Sequence, residues 1–336
     1  VSAESIQYFS GFRGDDSLVV VTPQRAAVIT DFRYTEQAQR EALGYEVIKY
    51  ETSLYDSAAS LLQAESTKCA AFEGEHMRFN QYARLKASFK GELKPLALEN
   101  LRAVKDSSEL VKLKKAVAIS DAAFSEALKI IQDGVSEIAV AAKLEEVMRR
   151  LGSERPAFAT IVASGVRGSL PHGLASDKII REGELVTMDF GAVYEGYHSD
   201  ITRTVCVGRI SDRQREIYNT VLNAQILGTK AVKAGVSGKS VDAAARKYIT
   251  DAGYGRYFGH GLGHGVGLAI HEMPRLSPKG SDEPLKEGMA VTVEPGIYIS
   301  GFGGVRIEDT VVVGADGCDI LTAVSKQLIE ISSSQE

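Results

Sequence analysis

Two stretches of this chain are copies of one pattern, and that duplication limits what it can fold into more than any other feature. GELVTMDFGAVYEGYHSDITRTVCVG at 183–208 and GMAVTVEPGIYISGFGGVRIEDTVVVG at 288–314 share V-T-x-acid-x-G near the start and T-V-x-V-G at the end. Each reads as a strand that folds back on itself, about Tyr194-Glu195-Gly196 in one copy and about Ser300 to Gly304 in the other. The repeat reaches upstream. Gly134-Val135-Ser136 opens a helix that Gly152 closes, and Gly235-Val236-Ser237 opens another that Gly253 closes. Each half therefore reads as helix, helix, then strands. Two copies are too few for a solenoid, so a closed two-fold arrangement with facing sheets and a cleft between the halves is expected.

Each copy holds two carboxylates about its turn: Asp189 and Asp200 in the first, Glu294 and Glu308 in the second. If the segments fold back, the acids of a copy face each other across neighbouring strands and all four converge. Carboxylates crowded into an apolar setting must take up protons or hold cations, and hard divalent metals exploit the second outcome. Solvated acids on ordinary hairpins would need no duplicated, turn-centred spacing.

The rest of the composition fits a globular chain. With 336 residues and 44% apolar content it can bury one or two cores, and its length suggests two domains. A net charge of −5 with mixed signs argues against nucleic acid, and no apolar run approaches the roughly 20 residues of a membrane helix. Three scattered cysteines fit a reducing compartment, and the cytoplasm is the expected location. From Val1 to about Leu96, strand and helix signals alternate, which reads as an α/β domain. Lys94-Pro95 and the residues after it read as a connection. Asp106, with Glu109 three residues on, then caps a long helix and opens the second domain.

Five of the six histidines lie between His172 and His271, and His260, His264 and His271 fall within GHGLGHGVGLAIHEMP. The glycines there have no G-x-G-x-x-G register and no following Lys, so a phosphate loop is not indicated. They let backbone approach a crowded site closely. An oxygen-rich set with one imidazole favours Mn2+, Co2+ or Fe2+ over the sulfur-rich pattern of structural zinc. Tyr298 and Arg306 fall on the strand faces of Glu294 and Glu308, where a hydroxyl and a guanidinium could reach the acids. His198, two before Asp200, reads as a supporting or surface residue.

The blocks LPHG, VTMDFGAVYEGYHSDITRT, FGHGLGHGVGLAIHE, VTVEPGIYI and GGVRIED, with Asp189, Asp200, His264, Glu294 and Glu308 in that order, resemble the pita-bread metallopeptidases, most closely the Xaa-Pro aminopeptidases and prolidases. QYFSGFRGDDSLVVVTP and TDFRYTEQA resemble the creatinase-like N-terminal domain of short bacterial members. The resemblance spans nearly the whole chain. It implies an α/β N-terminal domain at 1–104, then an α+β pita-bread catalytic domain at 105–336 with an internal pseudo-two-fold duplication. It also implies two divalent ions, Mn2+ first, with Co2+, Zn2+ and Fe2+ as alternatives. Asp189 would chelate one ion, His264 and Glu294 the other, and Asp200 and Glu308 would bridge them.

A hydroxide shared by the ions would attack the Xaa-Pro carbonyl, with Glu294 as general base. His172 and His271 would contact substrate and stabilise the tetrahedral intermediate, and His260 and Arg306 would line the proline side, with Tyr298 beside them. The expected substrates are small peptides with proline second. An Xaa-Pro aminopeptidase is the leading reading and a dipeptide-restricted prolidase the runner-up. A methionine aminopeptidase would not need the extra N-terminal domain, creatine hydrolysis on this fold dispenses with the acids, and a non-catalytic binding module would not keep all five ligands. A homodimer is expected by analogy.

Overall fold

The computed structural model describes residues 1–332, so positions 333–336 of the second expected domain lie outside it. The chain divides into two compact units, Val1–Arg102 and Ala103–Glu336.

The first unit holds α1 (Ala3–Ser10), β1 (Leu18–Val21), β2 (Ala26–Thr30), α2 (Thr35–Glu41), β3 (Glu46–Lys49), α3 (Leu54–Ala64), β4 (Cys69–Glu73), α4 (Phe79–Ser88) and β5 (Glu92–Leu96). β1 and β2 pair antiparallel about the Pro23-Gln24-Arg25 turn, where Thr22 N–H reaches Arg25 O at 2.8 Å. β3 joins β2 in parallel, and α3 and α4 cover this face through Ala58, Leu61, Leu62, Leu85 and Phe89. Lys94-Pro95 departs from the sequence reading: it is strand, with Pro95 opposite Phe72 on β4. A two-stranded sheet has only edge strands, where a residue lacking an N–H is tolerated.

The second unit bears out the duplication. α5 (Ser107–Ala127) starts at the Asp106–Glu109 capping box, and α6 (Glu137–Arg150) follows. Then come β6 (Ile161–Ser164), β7 (Leu185–Phe190), β8 (Val193–Tyr194), β9 (Tyr197–His198) and β10 (Ile201–Val207). The second copy has α7 (Asp212–Ala231), α8 (Gly238–Asp251), β11 (Gly263–Gly265), β12 (Glu272–Leu276), β13 (Ala290–Val293), β14 (Gly296–Ile299), β15 (Gly303–Arg306), β16 (Asp309–Val313) and β17 (Cys318–Ile320). β18 (Glu330–Ile331) returns to lie beside β10.

The caps explain why the helix pairs match. Ser136 and Ser237 are both extended N-caps, with ψ of 151° and 150°, and each hydroxyl accepts the N–H three residues on. Gly152 and Gly253 close the two helices with φ of +102° and +87°, a region that side chains avoid.

One sheet runs β18-β10-β7-β6 and the other β12-β11-β13-β16-β17. α5 and α6 bury Phe124, Leu144 and Met148 against Met188 and Phe190 of the first sheet. α7 and α8 bury Tyr218, Val221 and Val241 against Val291, Val293 and Val311 of the second. Burying each such side chain is worth about 1.5–3 kcal/mol, so each half has its own core and the polar residues between the sheets are left for chemistry. Among the described residues no helix is long and apolar enough to cross a membrane.

Candidate metal centre

Strand ends set the acids in place. In the second copy β13 pairs with β16 through Val293 and Asp309, so Glu294 and Glu308 stand one step beyond the last pair, opposite each other as expected. The first copy differs from the sequence expectation. Asp189 pairs with Thr202, and Asp200 lies two residues further out, just before β10. By register Thr202 is the counterpart of Glu308, and Asp200 that of Arg306. The shift is an even number of residues, so Asp200 keeps the face it would have had in symmetric register.

That offset lets the two halves interlock. Thr202 Oγ1 donates to Glu308 Oε2 at 2.7 Å, and Arg306 donates to Asp189 Oδ2 at 2.6 Å and to Thr202 Oγ1 at 3.1 Å. Asp200, His264 and Glu308 each offer a ligand atom, all within 4.8 Å of one another. Glu294 stands beside them, its Oε1 3.3 Å from His264 Nε2, while Asp200 Oδ2 lies 3.5 Å from the same nitrogen.

His264 sits on β11 between two glycines, and the backbone packing requires both. A Cβ at Gly263 would lie 2.0 Å from Thr292 O, and one at Gly265 would lie 2.3 Å from Met273 O. Thr292 Oγ1 accepts His264 N–H at 3.0 Å and itself reaches Glu294 Oε1 at 3.3 Å. His264 Nδ1 donates to Gly265 O at 3.0 Å, which turns Nε2 toward the acids, as a donor to Glu294 when the ring is protonated and as a lone pair for a cation when it is neutral. Metal-binding imidazoles are usually held this way.

The electrostatics follow from burial and like charge. Burial raises the pKa of Asp189, which Arg306 opposes. Burial, then Glu308 and the other acids, raises Asp200 well above the usual carboxylate range, and burial with Glu294 and Asp189 does the same to Glu308. Burial works against ionised Glu294 too, but the His264 hydrogen bond prevails and lowers its pKa. In return His264 is raised despite its burial. Asp189 Oδ1 and Glu308 Oε1 are buried without a hydrogen-bond partner, an arrangement expected of oxygens shaped to face a cation. The donor set thus fits hard divalent ions.

Beside the acids, Arg306 NH1 donates to Tyr298 OH at 2.8 Å, and the phenol reaches His260 Nε2 at 2.9 Å. Arginine only donates, so the tyrosine proton points to His260, whose Nδ1–H goes to Gly261 O at 2.7 Å. A neutral imidazole results, and burial lowers the His260 pKa accordingly. Burial also pushes the Tyr298 hydroxyl up to about 12. Arg306 is only 3% exposed and committed to Asp189, Tyr298, Thr202 and Pro171 O, so its guanidinium orders the acids.

His271 stacks edge-on to His264 with ring centroids 4.3 Å apart, and burial with the neighbouring His264 lowers its pKa. His172 is exposed in the loop after Ser169. His198 is buried, its ring against Gly267 O and Arg155. Sequence reasoning missed Thr202 and Thr292. The threonine repeated in V-T-x-acid was the available signal for Thr292.

Comparison with known proteins agrees with this geometry. Residues 111–315 match the profile of metallopeptidase family M24, and residues 1–104 match the creatinase/prolidase N-terminal domain. An Xaa-Pro dipeptidase of Pyrococcus furiosus is 42% identical over 330 residues, covering 97% of this chain and 92% of that protein. The solved Xaa-Pro dipeptidase from Bacillus anthracis superposes with a TM-score of 0.95 at 46% identity, over 98% of this chain and 93% of that one. The X-Pro aminopeptidase structure from Thermotoga maritima gives 0.92 at 41%, over 98% and 94%. The chain belongs to metallopeptidase family M24, with a creatinase-type N-terminal domain ahead of a pita-bread catalytic domain.

Proposed function

We infer that this chain is an Xaa-Pro dipeptidase working with two divalent ions, Mn2+ foremost and Co2+, Zn2+ or Fe2+ as alternatives. The observation that carries the reading is the set of Asp189, Asp200, His264, Glu294 and Glu308, two of whose carboxylates present a buried oxygen without a partner. Asp200 and Glu308, central in the cluster, would bridge the ions. Asp189 would hold one of them, and His264 with Glu294 the other. Bound ions of this kind supply Lewis acidity toward a peptide carbonyl and a water that ionises near neutral pH.

The chain's own groups do the remaining work. Glu294 takes up a proton and delivers it to the proline nitrogen. His271, against His264, and His172, on the exposed loop, donate to the carbonyl oxygen as it gains charge. The His260–Tyr298–Arg306 chain fixes the wall on the proline side.

The dipeptide reading displaces the aminopeptidase reading because the relatives from Pyrococcus furiosus and Bacillus anthracis are named Xaa-Pro dipeptidases. The Thermotoga maritima structure supports the aminopeptidase reading as the alternative. Protein stripped with EDTA, reloaded with Mn2+, Co2+ or Zn2+, and given Ala-Pro or Ala-Pro-Ala-Ala separates them. Cleavage of Ala-Pro at least tenfold faster is expected. Preference for the tetrapeptide restores the aminopeptidase reading, and cleavage of neither refutes both. A homodimer belongs to the same reading, and sedimentation velocity tests it.

A further inference from the structure

Behind the acids, on the opposite face of β10 from Thr202, lies Arg203, one of the largest side chains buried from solvent at 1% exposure. All five of its N–H groups are used. Nε donates to Ser325 O at 3.0 Å; NH1 donates to Thr202 O at 2.9 Å and to Glu308 O; NH2 donates to Asp309 Oδ1 at 2.7 Å and to Val324 O at 2.8 Å. Asp309 in turn accepts Gln225 Nε2 at 2.9 Å and the Lys326 ammonium.

We propose that Arg203 is a positioning residue for the metal centre, a brace between the two copies that sets the separation and aim of Asp200 and Glu308. The proposal rests on the reading of these acids as bridging ligands. Glu308 is pinned by two consecutive residues of the other copy: its N–H by Thr202 O at 3.1 Å, its Oε2 by Thr202 Oγ1, and its carbonyl by Arg203. The reverse contact also exists, since Thr310 Oγ1 on β16 donates to Asp200 O at 2.9 Å. Each central acid is therefore located by the opposite half of the duplication. Had the pair Arg203–Asp309 served stability alone, well-packed apolar side chains would do as well, because desolvating two charges offsets most of their attraction. One planar fork instead joins Thr202 O to Glu308 O across the β10–β16 seam and ties that seam to the carbonyls of Val324 and Ser325.

The test uses the full chain and Arg203→Lys, which keeps the charge and loses the fork. Circular dichroism and thermal melting establish folding, Mn2+ titration calorimetry gives affinity, and the visible spectrum of Co2+ reports ligand geometry without turnover. Mn2+ affinity is expected to fall about 10–100-fold, the usual effect of removing a group that orients a ligand, with an altered Co2+ spectrum and a loss in kcat rather than KM. Thr310→Val removes only the hydroxyl that holds Asp200. It keeps the test decisive should Arg203→Lys not fold, and a drop of about 10-fold in affinity is expected. A folded Arg203→Lys with wild-type affinity and spectrum, or an unchanged Thr310→Val in its absence, overturns the brace. The unsubstituted chain separates the two claims: if it binds no metal, the metallopeptidase reading fails first.

Discussion

Glu308→Gln should make the protein more stable in EDTA and less stable in Mn2+. The site gathers four carboxylates against two side-chain cations, Arg306, paired with Asp189, and His264, paired with Glu294. Asp200 and Glu308 are the unbalanced pair, and their ligand oxygens lie within 4.8 Å. At an effective dielectric of about 20, two unit charges at that distance repel by about 3 kcal/mol. Partial protonation and the nearby His264 reduce this, so removing one charge should stabilise the stripped protein by about 1–3 kcal/mol. For a unit of 150–250 residues that is roughly 2–12 °C in Tm. The amide replaces the acid with little strain: its oxygen still accepts from Thr202, and its N–H2 takes the place of the oxygen that has no partner. Metal reverses the order. At 100 times Kd a ligand stabilises the native state by about 2.7 kcal/mol, and a variant lacking a central acid forgoes most of that. Differential scanning fluorimetry with EDTA or Mn2+ reads both arms. If Glu308→Gln melts lower than the parent by the same amount in both buffers, the account of crowded charge is wrong.

Three further outcomes follow from groups elsewhere in the chain. Burial pushes the Cys206 and Cys318 thiols up to about 11, so at pH 8 they stay protonated and unreactive, while Cys69 is open to solvent. Ellman's reagent should titrate one fast thiol in native protein at pH 8 and three after denaturation. The slow pair should accelerate as pH rises toward 11, and three fast thiols at pH 8 would contradict the assigned burial. Lys105 and Glu272 form an ion pair 3.1 Å apart with both side chains 1% exposed, and Glu272 also accepts Ala269 N–H in the loop leading to His271. Lys105→Met should cost about 3–5 kcal/mol in urea unfolding, partly recovered by adding Glu272→Gln, and a loss under 1 kcal/mol would show the pair to be dispensable. In Gly263→Ala the new Cβ would lie 2.0 Å from Thr292 O, so β11 must move away from β13. Mn2+ affinity should drop at least tenfold, and an unchanged calorimetric isotherm would refute that packing.

What the sequence reveals and what it hides divide along a physical line. The duplication was legible because each copy must solve the same local backbone problem: a Ser N-cap, a glycine at positive φ after the helix, a strand that folds back. Such demands are met by residues close in the chain, so they leave a repeated spelling. The acids, too, could be read as a group, because the repeat carries each pair to the same sheet edge. Their register could not. Whether Asp189 faces Asp200 or Thr202 depends on how far β8 and β9 extend the turn, and residue types are compatible with either pairing. Pro95 hid a strand for a related reason, since its cost depends on whether the strand is an edge. Arg203 is the extreme case. Its partners Glu308 and Asp309 lie more than a hundred residues away, and in the sequence it is the middle of the polar run Thr202-Arg203-Thr204, formally indistinguishable from a solvated residue. Only the closing of the two halves makes it buried. The duplicated fold therefore announces where a reactive centre must lie, while the contacts that set that centre's dimensions arise between the copies, where neither copy alone carries a signal.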